Sequence, residues 1–294
     1  MKYLTIFLLM ILASGLNLLA GPYAPRVGQP GSTAVSMDDP NIIAWVTGYQ
    51  DYVVGTDCDT GWQTPDNAIG EAVGIPDTNI VCLGRGGEIT LVFDSGIGDG
   101  EGDDFVVFEN AVTDFFLEIG YVEVSSDGVN FFRFYCDSQT TSTVTSYLDP
   151  TNITGFASKY IAGYGTPFDL AEFRDFSPLL DVDDVRYVRI VDIVGDGTYT
   201  DSSGKVIYDP YPTIGSAGFD LDGIGVIHMR TVDFDQNGCV DADDLSIFAA
   251  AWLSSKGDVN WDQRCDIAYP EYEHIDFADF ALLSRQWTHT CGNL

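Results

Sequence analysis

Between Asp233 and Asp244 the side-chain oxygens of Asp233, Asp235, Asn237, Asp241 and Asp244 stand at positions 1, 3, 5, 9 and 12 of a twelve-residue stretch. Gly238 occupies position 6, Cys239 position 7 and the apolar Val240 position 8. Alternate residues of a curling loop can point inward together, and a glycine at the middle lets the chain turn sharply. A hard divalent cation takes six to eight oxygen ligands at about 2.3–2.6 Å. The spacing therefore predicts a calcium loop. Asp233, Asp235, Asn237, Asp241 and Asp244 would supply side-chain oxygens, and Cys239 its backbone carbonyl. The alternative reading is an acidic turn that holds no metal. Position 12 is Asp rather than Glu, a shorter carboxylate with less reach for two-oxygen coordination.

The unit recurs. A shift of 35 residues carries Asp241, Asp244, Leu245, Ile247, Phe248 and Trp252 onto Asp276, Asp279, Phe280, Leu282, Leu283 and Trp287. A shift of 25 carries Asp233, Asp235 and Asn237 onto Asp258, Asn260 and Asp262. On that register the second loop comprises Asp258, Asn260, Asp262, Asp276 and Asp279. It has an insertion, roughly Gln263 to Glu273, between positions 5 and 9, and His274 offers only its carbonyl at position 7. Each loop leads into apolar residues at helical spacing, with acids near the helix start where the dipole favours negative charge.

Two loop–helix units without the leading helix of a full EF-hand resemble the type I dockerin domain, over about Val232 to Trp287. The resemblance implies two calcium ions. One would be held by Asp233, Asp235, Asn237, Asp241 and Asp244, the other by Asp258, Asn260, Asp262, Asp276 and Asp279. It also implies docking onto a cohesin-like or other surface protein. Cellulosomal members carry small hydroxyl residues just before the final ligands. Here those pairs are Ala242-Asp243 and Phe277-Ala278.

The chain upstream has a different period. Short runs rich in Val, Ile, Phe and Tyr alternate with Gly, Asp and Ser turns from about Asp51 to His228. Among them are Glu88–Phe93, Phe105–Phe108, Tyr121–Val124, Phe131–Phe134, Val185–Val191 and Gly223–Ile227. Ser126-Asp127-Gly128 is a hairpin signal between two of them. No long amphipathic helix separates the runs, which predicts an antiparallel β-sandwich rather than an alternating α/β fold. The runs at 121–131, 185–190 and 219–226 resemble, in order, the discoidin and galactose-binding-like jelly rolls. The whole domain is similar to a group of exported bacterial surface proteins with no assigned activity. The expected architecture is mainly β. It comprises a signal peptide over residues 1–20, a jelly-roll-like sandwich over 21–229 and a small α-helical double calcium-loop domain over 230–294.

Bulk properties bound the partners. The 294 residues carry 45 acids against 13 Lys and Arg, a formal charge of -32. That charge argues against nucleic acid and anionic membranes as partners. Lys2, the apolar run Tyr3–Leu12 and Leu18-Leu19-Ala20 form a signal-peptide pattern, which predicts export to the cell surface or medium. No later stretch is long and apolar enough to span a bilayer. Export permits disulfides among Cys58, Cys82, Cys136, Cys239, Cys265 and Cys291. Cys58 with Cys82, and two of the last three together, are the expected pairs, against the alternative of free buried thiols. Two further acidic sets could hold a cation or be solvated turns: Asp99, Glu101, Asp103 and Asp104, and Asp192, Asp196 and Asp201 with Asp220 and Asp222.

Motifs for catalysis are sparse. Ser216 lacks the leading glycine of a nucleophile elbow, and Ser202-Ser-Gly-Lys205 has no supporting motif. A carboxylate pair for glycoside hydrolysis needs only two acids at the right separation, and 45 acids select no pair. The expectation is an exported, non-catalytic, calcium-binding surface protein whose sandwich serves recognition. Polysaccharide is a candidate ligand, with Trp45, Trp62, Tyr160, Tyr164, Tyr208 and Tyr211 as candidate stacking residues. The rival is a glycan-active hydrolase or lyase with the tail as an appendage.

Overall fold

The computed structural model describes residues 21–76, 78–142, 147–235, 239–268 and 273–287. The signal-peptide pattern, Asn237, Gly238 and Cys291 lie outside these residues. In chain order the strands are β1 (Val35–Ser36), β2 (Ala44–Trp45), β3 (Gly48–Val53), β4 (Val81–Cys82), β5 (Glu88–Ile97), β6 (Phe105–Glu109), β7 (Gly120–Ser125), β8 (Phe132–Arg133), β9 (Asp137–Ser138), β10 (Ile153–Thr154), β11 (Tyr164–Phe168), β12 (Val185–Asp192) and β13 (Asp220–Val226). One sheet runs β1-β11-β6-β13-β2, with β4 also pairing β13. A second runs β3-β5-β12-β7-β8, and β9 and β10 pair in a separate two-stranded antiparallel sheet. Every pairing in both sheets is antiparallel. The chain is therefore mainly β, an antiparallel sandwich.

Strand alternation explains the core. Ile89, Leu91 and Phe93 of β5, Val122 and Val124 of β7 and Val188 and Ile190 of β12 share one cluster with Phe105 and Val107 of β6. Phe105 is fully buried, 5.3 Å from the Phe168 ring and 5.8 Å from Phe134. Burial of one such side chain contributes about 2–3 kcal/mol. The run Phe105–Phe108 is apolar throughout because β6 is covered on both faces. Val106 and Phe108 point the other way, into a small cluster with Ala72, Met37 and Trp45. The Ser126–Gly128 turn joins β7 to β8 as its sequence predicts: Asp127 Oδ1 accepts from the amides of Val129 and Asn130, and Gly128 takes φ 71°.

The tail has its own core. Helices α1 (Ala242–Ala251) and α2 (Phe277–Gln286) bury Phe248, Ala251, Leu282 and Leu283 against Val232, Phe234, Val240, Ile267 and Ile275. Polar contacts fasten it to the sandwich. Arg186 Nη2 donates to the Ile267 carbonyl at 2.9 Å, and Arg230 Nη1 meets Asp184 Oδ2 at 2.6 Å. Gln286 Nε2 donates to the Arg230 carbonyl at 2.7 Å. Among the described residues no helix is long and apolar enough to cross a membrane.

Candidate metal centre

The first loop closes around one buried carboxylate. Asp244 is inaccessible to solvent; its Oδ1 accepts from the amides of Phe234 at 2.6 Å and Asp235 at 3.2 Å, and its Oδ2 from the Asp241 amide at 2.9 Å. Asp241 caps α1 in return, accepting from the Asp243 amide at 2.8 Å. The reciprocal bonds form a capping box, and both acids sit where the helix dipole favours them. Phe234 and Val240, which flank the ligand positions, are held in the tail core. Asp233, Asp235 and Asp244 each bring one carboxylate oxygen within 4.8 Å of the other two. Three carboxylates in a small loop could together hold a hard divalent cation. Cys239 is disulfide-bonded through its side chain, which leaves its carbonyl for the position-7 role.

The same construction recurs around Asp279, in a register that differs from the one expected. Asp279 Oδ1 accepts from the amides of Ile267 at 2.6 Å and Ala268 at 2.8 Å, and Oδ2 from the Asp276 amide at 2.8 Å. Asp276 caps α2 through the Ala278 amide at 2.7 Å. Ile267 thus stands where Phe234 stands, and Asp266 where Asp233 stands. The second loop starts at Asp266, a buried acid the spacing argument passed over. Asp258, Asn260 and Asp262 are engaged elsewhere. Asp258 Oδ2 accepts from the Ser255 amide, Asn260 Nδ2 donates to the Ala250 carbonyl, and Asp262 caps a short 3-10 turn and pairs with Arg264 at 2.6 Å. His274 keeps its place just before the buried Ile275, with Nδ1 at 2.9 Å from Ser255 Oγ.

The physical reason lies in the residue after the first acid. It must be apolar and must enter the core. Phe234 and Ile267 do so, whereas Val259, which follows Asp258, is fully exposed. A shift of 33 residues, matching Asp233-Phe234 to Asp266-Ile267, carries that signal. Position 3 of this second loop is Ala268, which has no side-chain oxygen; the middle of the loop, residues 269–272, lies outside the described residues.

Acids are buried in the sandwich as well. A cleft of about 350 Å³ is lined by Glu109, Asn110, Phe116, Glu118, Thr213 and Asp220. Glu109 accepts from Ser158 Oγ at 2.8 Å and Glu118 from the Gly218 amide at 2.9 Å. Burial pushes both carboxyls well above the ordinary range, and the neighbouring Asp220 charge adds to it. The set Asp192, Asp196 and Asp201 does not converge. Asp192 ties the Gly86 and Phe219 amides, Asp196 turns back on Thr198, and Asp201 on Ser203 and Lys205. Cys58 and Cys82 are free thiols, with Cys58 Sγ 3.7 Å from the Cys82 carbonyl. Of the candidate stacking aromatics, Tyr160 is buried and Trp45 packs on Phe108 at 5.4 Å. Compared with family models, with curated proteins and with solved structures, the chain matches none.

Proposed function

We propose that the chain is an exported, non-catalytic surface protein in which a calcium-binding tail provides attachment and the sandwich provides recognition, with polysaccharide as its candidate ligand. The observation that carries this reading is the convergence of Asp233, Asp235 and Asp244 within 4.8 Å, in a loop whose organising contacts are repeated at Asp279. Duplicated carboxylate loops of this kind have a ready use for calcium, since the ion offsets the mutual repulsion of their charges. The partner of the tail would be a cohesin-like or other surface protein. Helix faces that carry exposed Phe277, Phe280 and Trp287 give it apolar surface to contact.

Calorimetric titration of calcium into the chelator-stripped full chain tests this. Asp233→Ala should remove one binding equivalent and Asp266→Ala another. If calcium produces no heat and leaves both variants indistinguishable from the parent chain, the attachment reading fails with it.

One observation favours a second reading, a glycan-active enzyme. Glu109 and Glu118, both with raised carboxyl pKa values, line the same cleft. A protonated acid beside another carboxyl is the equipment of glycoside hydrolysis. Release of reducing ends from a polysaccharide panel, lost in both Glu109→Gln and Glu118→Gln, would establish it. Polysaccharide binding without release would support the first reading.

A further inference from the structure

Outside the tail, three acids from distant parts of the chain meet at one end of the sandwich. Asp99 follows β5, Asp104 precedes β6, and Asp169 follows β11. The antiparallel register of β11 on β6 pairs Phe168 with Phe105 and so sets Asp169 beside Asp104. One carboxylate oxygen from each of Asp99, Asp104 and Asp169 lies within 4.8 Å of the other two.

The acids are held in different ways. Asp104 is completely buried; Oδ1 accepts from the Gly100 amide at 2.7 Å and faces His228 Nδ1 at 2.8 Å, and Oδ2 accepts from the Leu170 amide at 2.7 Å. Asp169 Oδ1 caps the short 3-10 turn Leu170–Phe173 through the Ala171 amide. Asp99 is the exception. Its side chain is 1% exposed, and its Oδ2 is held by Arg174. Its Oδ1 is buried and has no hydrogen-bond partner. A buried carboxylate oxygen without a donor is costly in any fold and requires an explanation. Here it is carried by one of the three side chains whose carboxylates converge.

We propose that Asp99, Asp104 and Asp169 form a further divalent-cation site of the calcium class, independent of the tail, with Asp99 Oδ1 as the ligand that otherwise lacks a partner. The donors are oxygens only, which suits a hard cation rather than zinc. Asp104 is fixed by backbone amides and His228, in the manner of ligands oriented by an outer ring of bonds. Asp103 and Asp183 stand near the same acids, Arg174 is the positive group facing them, and the His228 ring lies against Asp104. A bound divalent ion would offset the excess negative charge. It would also cross-link the β5–β6 loop to the end of β11, joining both sheets at this end of the sandwich.

The site shares no residue with the tail, so its failure is separable from that of the calcium-loop reading. Calcium equivalents bound to the full chain, counted by equilibrium dialysis, decide it. Asp99→Asn and Asp169→Ser should each bind one equivalent fewer than the parent chain, while Asp233→Ala loses a different one and adds to the deficit in combination. Asp169→Ser keeps a hydroxyl for the turn cap, so it tests the ligand role even if Asp99→Asn fails to fold. An unchanged calcium count in Asp169→Ser overturns the proposal.

Discussion

Asp244→Ala should unfold the tail while leaving the sandwich intact. The carboxylate takes three backbone amides, those of Phe234, Asp235 and Asp241, and is wholly buried. Alanine leaves the three donors without an acceptor; the buried Phe234 amide so stranded costs about 1–3 kcal/mol, and the part-buried Asp235 and Asp241 amides cost less each. The loss is a large fraction of the roughly 3–10 kcal/mol expected for a module of about 65 residues. One of those three bonds, from the Asp241 amide, is the half of the α1 capping box that Asp244 supplies. Hydrogen exchange on the full chain gives a direct measure. Amides of 239–252 should lose protection in Asp244→Ala while β5 and β12 keep theirs. Asp279→Ala should do the same to α2 through Ile267, Ala268 and Asp276. Asp243→Ala is the control, because Asp243 is exposed. Retained protection over α1 in Asp244→Ala would show that the tail core alone holds the loop.

How much of this was legible in the chain depends on which force set each feature. The sandwich was legible because it follows from alternation: Ile89, Leu91 and Phe93 repeat every second residue and all face one core. The run Phe105–Phe108 could be recognised as a strand, but not the two clusters it divides, since the second is completed by Trp45 and Ala72 from far along the chain. The first loop was legible because the acids that converge in it, Asp233, Asp235 and Asp244, are close in sequence. The second was half legible. Asp276 and Asp279 precede a helix at fixed spacing, whereas its first acid is fixed by which neighbour enters the core. Asp258, Asn260 and Asp262 imitate the ligand spacing, yet Val259 beside them meets solvent and Ile267 beside Asp266 does not. The set Asp99, Asp104 and Asp169 was visible only in part, because Asp169 arrives through strand pairing some 65 residues downstream of Asp104.

The acid excess has a further consequence, which concerns pH. Many of these acids are not surface charge. Asp192 lies buried between the Gly86 and Phe219 amides, and burial pushes its carboxyl up to about 7 against those bonds. Burial likewise raises Asp209, Glu109, Glu118, Asp104 and Asp222. A carboxyl whose folded pKa lies above its unfolded value holds a proton that the unfolded chain releases. Stability is then greatest below the ordinary value and falls as pH rises through the folded one. For Asp192 the window runs from 3.8 to about 7, and the full shift corresponds to about 4 kcal/mol. Asp127 acts the other way. Burial pushes it up, but bonds from Asn130, Val129 and Ser125 together outweigh that and hold it at about 2. Its contribution is lost only below about pH 4. In chelator, the thermal midpoint should therefore rise as pH falls from 7 to 5, by about 5–9 °C from Asp192 alone, since about 2.3 kcal/mol of the linkage falls in that interval and each kcal/mol is worth about 2–4 °C. General repulsion within a chain of formal charge -32 would also relax on acidification. Asp192→Asn separates the two causes. The variant should be less stable at every pH, because the amide nitrogen cannot accept one of the two backbone bonds, yet its midpoint should change markedly less between pH 5 and 7. An unaltered slope would assign the effect to overall charge and remove Asp192 from the account.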